Sequence, residues 1–132
     1  MGKATTAVRV CLLAAVCLMS SCGLLSDGPG TVLKNLYKNC NAGEYSKAEI
    51  SLSADERALL HSQEAVLNGG VKGVCDQATR NGTLSSVEVI KEDVRGEGAS
   101  VSYRKHFKDG SVTNANETLI KENGKWVLAL GQ

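Results

Sequence analysis

Tyr103, Lys105, His106, Asn114, Asn116, Glu117 and Thr118 put a phenol, an amine, an imidazole, a carboxylate, two amides and a hydroxyl into one short stretch. His106 and Glu117 have the residue types of an acid–base pair. Tyr103, Lys105 and the amides could instead orient a small polar ligand by hydrogen bonding. A metal site is not expected, because there is no CxxC spacing and only His61 and His106 occur. The glycines of "LNGGVKG" resemble a phosphate loop, but no GK[ST] follows and no strand precedes them. No cofactor is therefore expected. His61 reads as a surface histidine beside Leu59 and Leu60.

Which of these groups meet depends on the strands that carry them. From Leu84 the apolar period becomes two, in "SSVEVIKEDV", "GASVSYRKHF", "SVTNANETLI" and "KWVLAL". Asp109-Gly110 and Asn123-Gly124 are two-residue hairpin signals. A two-residue loop at Asp109-Gly110 pairs Phe107 with Val112, Lys105 with Asn114, Tyr103 with Asn116, Val101 with Thr118 and Ala99 with Ile120. This register predicts an inner, helix-packed face with a pocket of Tyr103, Lys105, Asn114, Asn116 and Thr118. His106 and Glu117 fall on the outer face, with Arg104 and Glu117 as a weak diagonal ion pair. That inner set lacks the carboxylate or imidazole of a general base, so no catalytic residue is assigned. A role for Tyr103 or Lys105 stays open beside the simpler reading, a core tyrosine and a lysine snorkelling to the rim.

Helices precede the strands. "TVLKNLYKNCNAG" places Val32, Leu33, Leu36, Tyr37 and Cys40 at helical intervals and stops at Asn41–Gly43. "EYSKAEISL" gives a short second helix with Tyr45 and Ala48 inward. "SADERALLHSQEAVLNGG" predicts a third, capped by Ser53 and Glu56, with Leu59, Leu60, Val66 and Leu67 as its apolar face. "VKGVCDQATRNG" gives a short fourth, weakened by Gly73. Helices first and a meander last predict an α+β fold, a curved antiparallel sheet closed into a cone by the N-terminal helices.

"NLYKNCNAGEYSKA", "GGVKG", "FKDGSVT" and "KENGKWVL" together resemble the nuclear-transport-factor-2-like superfold, and more closely its small bacterial lipoprotein branch of uncharacterised function. The likeness runs from about Thr31 to Leu130. It implies the cone-shaped, cystatin-like fold but no activity, since the superfold hosts isomerases, dehydratases, transport factors and binding modules alike. It also implies sheet-to-sheet dimers, for which the alternating apolar residues of the last strand, Trp126 to Leu130, offer a second apolar face unless the third helix or the C-terminal tail covers it.

The N-terminus says where such a domain would sit. Residues 1–21 hold Lys3 and Arg9, no acid, and the apolar run "VCLLAAVCLM", shorter than the roughly 20 residues of a membrane span. This predicts a secretory signal peptide. "LMSSCG" resembles a bacterial lipobox, with Ser20 and Ser21 before Cys22 and Met19 where leucine is usual. Cys22 is then the acylated first residue of the mature chain, followed by a tether to residue 30 and a domain over 31–132. The competing reading is an ordinary cysteine of a freely secreted protein. Gly2 and Thr6 also fit an N-myristoylation pattern, which a signal-peptide core contradicts. Asn81 and Asn116 match glycosylation acceptors that a bacterial protein would leave bare.

Of five cysteines, Cys11 and Cys17 leave with the leader and Cys22 takes lipid. Cys40 and Cys75 remain, an even pair that predicts a disulfide worth roughly 3–4 kcal/mol, the alternative being two buried thiols. Without Lys3 and Arg9 the mature part carries thirteen cations and fourteen acids, a formal charge of −1, which argues against nucleic acid as a partner.

Two functions follow as expectations. The first is a membrane-anchored, non-enzymatic binding or scaffolding domain in the bacterial envelope. It would lie on the outer membrane facing the periplasm in a Gram-negative cell, because Gly23 rather than aspartate follows Cys22. The second is a small periplasmic isomerase- or hydrolase-like enzyme using the cone pocket.

Overall fold

A computed structural model describes residues 27–80 and 82–130. The signal segment, Cys22, the tether before Asp27 and Asn81 lie outside the described residues. No helix among those described is long and apolar enough to cross a membrane.

The first helix, α1 (Pro29–Asn41), starts two residues earlier than the periodicity predicts. Pro29 occupies its first turn, where a fixed φ and a missing N–H cost nothing. Its buried stripe of Leu33, Leu36, Tyr37 and Cys40 follows the expected spacing, and Gly43 at φ 73° ends it. The short α2 (Tyr45–Glu49) buries Ala48.

The predicted third helix is two helices, α3 (Ala54–Leu60) and α4 (Gln63–Leu67). Ser53 caps the first through the Glu56 N–H, as expected; Ser62 caps a second by accepting from the Ala65 N–H. The break shifts the phase of everything after His61. The expected apolar face is lost with it: Leu59 and Val66 are exposed, Leu67 is 88% exposed, and only Leu60 packs against the core.

The last helix, α5 (Gly70–Ala78), holds one buried residue, Cys75. Gly73 is not a defect there, because a Cβ at that position would lie 2.5 Å from the Asn68 carbonyl oxygen. Cys40 and Cys75 form a disulfide that ties α5 to α1.

Four antiparallel strands follow in the order β1 (Leu84–Arg95), β2 (Gly98–Phe107), β3 (Val112–Glu122) and β4 (Lys125–Leu128). The chain is α+β, helices against one face of a four-stranded meander, as predicted. Bulges within Leu84–Ser86 and Val89–Lys91 interrupt the β1–β2 ladder, and such irregularities increase local twist. The edge of β4 is covered by the segment after α2: the Ser53 N–H donates to the Leu128 carbonyl and the Leu128 N–H to Ser51. Trp126, Val127, Leu128 and Ala129 are all buried within the single chain.

Glu92, on β1 opposite Val101, accepts a hydrogen bond from the Gly30 N–H at 3.0 Å. A carboxylate there satisfies a free donor of the first helical turn and suits its partial positive charge. A Cβ at Gly30 would collide with that carboxylate, so glycine lets α1 lie this close to the sheet.

Candidate functional site

The β2–β3 register differs by one residue from the predicted one, and the difference remakes the site. Phe107 opens a three-residue loop, Lys108 to Gly110. The Gly110 N–H donates to the Phe107 carbonyl and the Phe107 N–H to the Ser111 carbonyl. Gly110 is left-handed at φ 87°, the arrangement of a type I turn closed by a glycine bulge. Asp109 holds it through Oδ1, which accepts from both the Ser111 N–H and hydroxyl. The ladder then runs Lys105 with Thr113, Tyr103 with Ala115, Val101 with Glu117 and Ala99 with Leu119.

A one-residue slip in a strand exchanges its faces. Tyr103 and Lys105 are on the inner face, as predicted, but Asn114, Asn116 and Thr118 are not: all three are exposed on the outer face. There the Ser102 hydroxyl donates to Asn116 and Arg104 Nε to Asn114. His106 lies outside as expected, 3.0 Å from a Glu88 carboxylate oxygen. Arg104 pairs with Glu88 rather than Glu117, at 3.8 Å. Glu117 turns inward, and the inner face has the carboxylate that the predicted register denied it.

The inner groups form a connected chain. Tyr37 of α1 lies over Tyr103 with ring centroids 5.6 Å apart, and their hydroxyls are 2.7 Å apart. The Tyr103 hydroxyl donates to Glu117 Oε1 at 3.3 Å. Lys105 donates to the Ala78 carbonyl at the end of α5, with Nζ 5.6 Å from the Tyr37 ring centre. Tyr103 is 2% exposed, whereas Glu117, Lys105, Thr113 and Ala115 are partly buried. The chain thus runs from the core to a wetted rim.

Burial raises the Tyr37 phenol above its ordinary value, against a lowering by the hydrogen bond with Tyr103. Burial also raises Tyr103, reinforced by its bond with Tyr37 and the charge of Glu117. Both hydroxyls stay protonated donors. Glu117 is raised too, by burial first, with the Tyr103 hydrogen bond and the Lys105 charge pulling the other way. Its proton is held more tightly in the folded chain than in the unfolded one. The stability this contributes is present below the unfolded pKa and lost as pH rises through the folded pKa. Glu117→Gln keeps an acceptor for Tyr103 without the charge. It is expected to melt with the wild type in acid and a few degrees above it at neutral pH, a gain below about 1 kcal/mol because the group is half in water. Thermal melts across that range check it; a variant less stable at neutral pH would contradict the sign.

Among the described residues no group of three or more His, Cys, Asp or Glu is placed to hold a metal. Sequence reasoning missed Glu117 and Tyr37 as site residues. The available signal was the parity of β3, where Ala115 and Leu119 compete as an apolar set with Val112 and Ile120.

Residues 20–129 match the family model of a domain of unknown function, DUF4878. Among solved structures, a candidate NTF2-like transpeptidase from Campylobacter jejuni is similar with a TM-score of 0.61 and 18% identity, covering 79% of this chain and 99% of that one. A SEC-C motif containing protein from Rhodopseudomonas palustris is similar at 0.54 and 14%, covering 79% and 77%. At such identities the likeness concerns the fold, which is nuclear-transport-factor-2-like. No curated protein matches the chain significantly.

Proposed function

The chain belongs to the DUF4878 family, a domain of unknown function, and from that premise we propose that it is a lipid-anchored protein of the bacterial envelope whose cone binds a small polar ligand or a protein without turning it over. The basic, apolar and then "LMSSCG" succession of the N-terminus supports the anchor at Cys22. A disulfide between Cys40 and Cys75 suits an oxidising compartment.

Tyr103 carries the non-catalytic part of the reading. Its hydroxyl is engaged between Tyr37 and Glu117 in the core, so it orients Glu117 and leaves the rim groups to meet a ligand. Glu117 and Lys105 remain at the rim as one acceptor and one cation, a pair suited to binding.

The second reading, an isomerase- or hydrolase-like enzyme, draws support from Glu117 alone. A carboxyl raised by burial beside a tyrosine donor has the makings of a general base. An activity on esters or enolisable ketones that Glu117→Gln abolishes would replace binding by catalysis.

The anchor is tested directly. Mass spectrometry of the mature protein is expected to find acylated Cys22 at its N-terminus. Cys22→Ser is expected to move the protein from the membrane to the soluble fraction. An unmodified N-terminus, or unchanged partition of the variant, would refute it.

A further inference from the structure

A cleft of about 660 Å³ opens between α1, the end of α2 and the β3–β4 turn. Its apolar lining is Val32, Ile50, Trp126 and Val127; Lys47 and Lys125 are its cations and Asp27 its acid. Ile50 is 69% exposed, an unusual position for an isoleucine at the lip of an apolar groove. Among the described residues no hydrogen bond joins this lining to the Tyr103–Glu117 chain.

The position of the cleft in the chain selects its occupant. Asp27 is five residues after Cys22, so an acyl-cysteine lies at most about 18 Å of extended backbone from the cleft wall. We propose that this cleft docks on the leaflet that holds the acyl chains, taking the glycerol and upper acyl region of an anionic phospholipid between Ile50 and Trp126. The proposal rests on the lipid anchor read above. Lys47 and Lys125 stand against Asp27 at the opening. Lys47 is partly engaged, 2.7 Å from Glu44, so Lys125 on the exposed side of the turn supplies the freer charge. Interfacial binding scales with apolar area plus attraction to anionic lipid, and a tethered domain needs little of either.

Trp126 is the chain's only tryptophan and lies in the cleft wall, so it reports on contact. The full lipidated protein is reconstituted in phosphatidylglycerol vesicles, plain or brominated near the top of the acyl chain, and floated on a gradient. Docking predicts an approximately twofold loss of Trp126 emission in the brominated vesicles. An Ile50→Asp/Lys125→Glu variant is expected to float equally well and stay bright. Both substitutions are at exposed positions, and the wild-type measurement decides without them. A floated wild type equally bright in both vesicles overturns the docking while leaving the anchor standing. A variant quenched as strongly as the wild type overturns the assignment to this cleft. A protein that does not float overturns anchor and docking together.

Discussion

Reducing the Cys40–Cys75 disulfide, or replacing both cysteines by serine, is expected to lower the melting temperature by roughly 15–30 °C, for a loss of about 4 kcal/mol in a domain of this size. The sequence separation of 35 residues sets the entropic part, because the cross-link removes that much loop freedom from the unfolded chain. Placement of the bond adds a local effect. Cys75 is the only buried residue of α5, whose other apolar side chains reach the core only in part. Without the bond, α5 has little to hold it on α1 and α2 and should open before the rest of the domain. The Ala78 carbonyl would move with it, releasing Lys105 from its acceptor. Thermal melts with and without reductant measure the global loss. Hydrogen exchange should show the amides of α5 losing protection first. A shift under about 5 °C would mean that the helix is held by something other than this bond.

What could be read from the sequence depended on how local its cause was. The stripe of α1, the Ser53 cap and the Cys40–Cys75 pairing rest on neighbouring residues or simple arithmetic, and the structure has all three. The two hairpin signals separate the cases. Asn123-Gly124 makes the expected two-residue turn, with both residues left-handed at φ 50° and 75° and Glu122 facing Lys125. Asp109-Gly110 carries the same kind of signal, but only its glycine is left-handed, because Asp109 spends its carboxylate on the Ser111 N–H and hydroxyl. A serine after the turn thus decided which of two loops formed, and the whole of β3 followed. The break at Ser62 has a similar origin. A residue suited to the interior of one helix was equally suited to cap the next, and tertiary placement chose.

The register has a sharp energetic signature. Leu119→Ala is expected to cost about 2–5 kcal/mol, since Leu119 is 0% exposed and packs opposite Ala99 and Leu128. Thr118→Ala, one residue away on the exposed face, should change stability by no more than about 0.5 kcal/mol. A two-residue loop at Asp109-Gly110 would reverse both expectations, burying Thr118 opposite Val101 and turning Leu119 to water. Chemical denaturation of the two variants decides between the registers, provided the slopes match the wild type so that midpoints can be compared. The same comparison decides the site, because every second residue of β3 moves together. If Leu119 is the costly position, Glu117 must share its face with Tyr103, and the inner surface has a carboxylate. If Thr118 is the costly one, Glu117 faces water, Asn116 lies beside Tyr103, and the hydrogen-bonded chain from Tyr37 to Glu117 cannot exist.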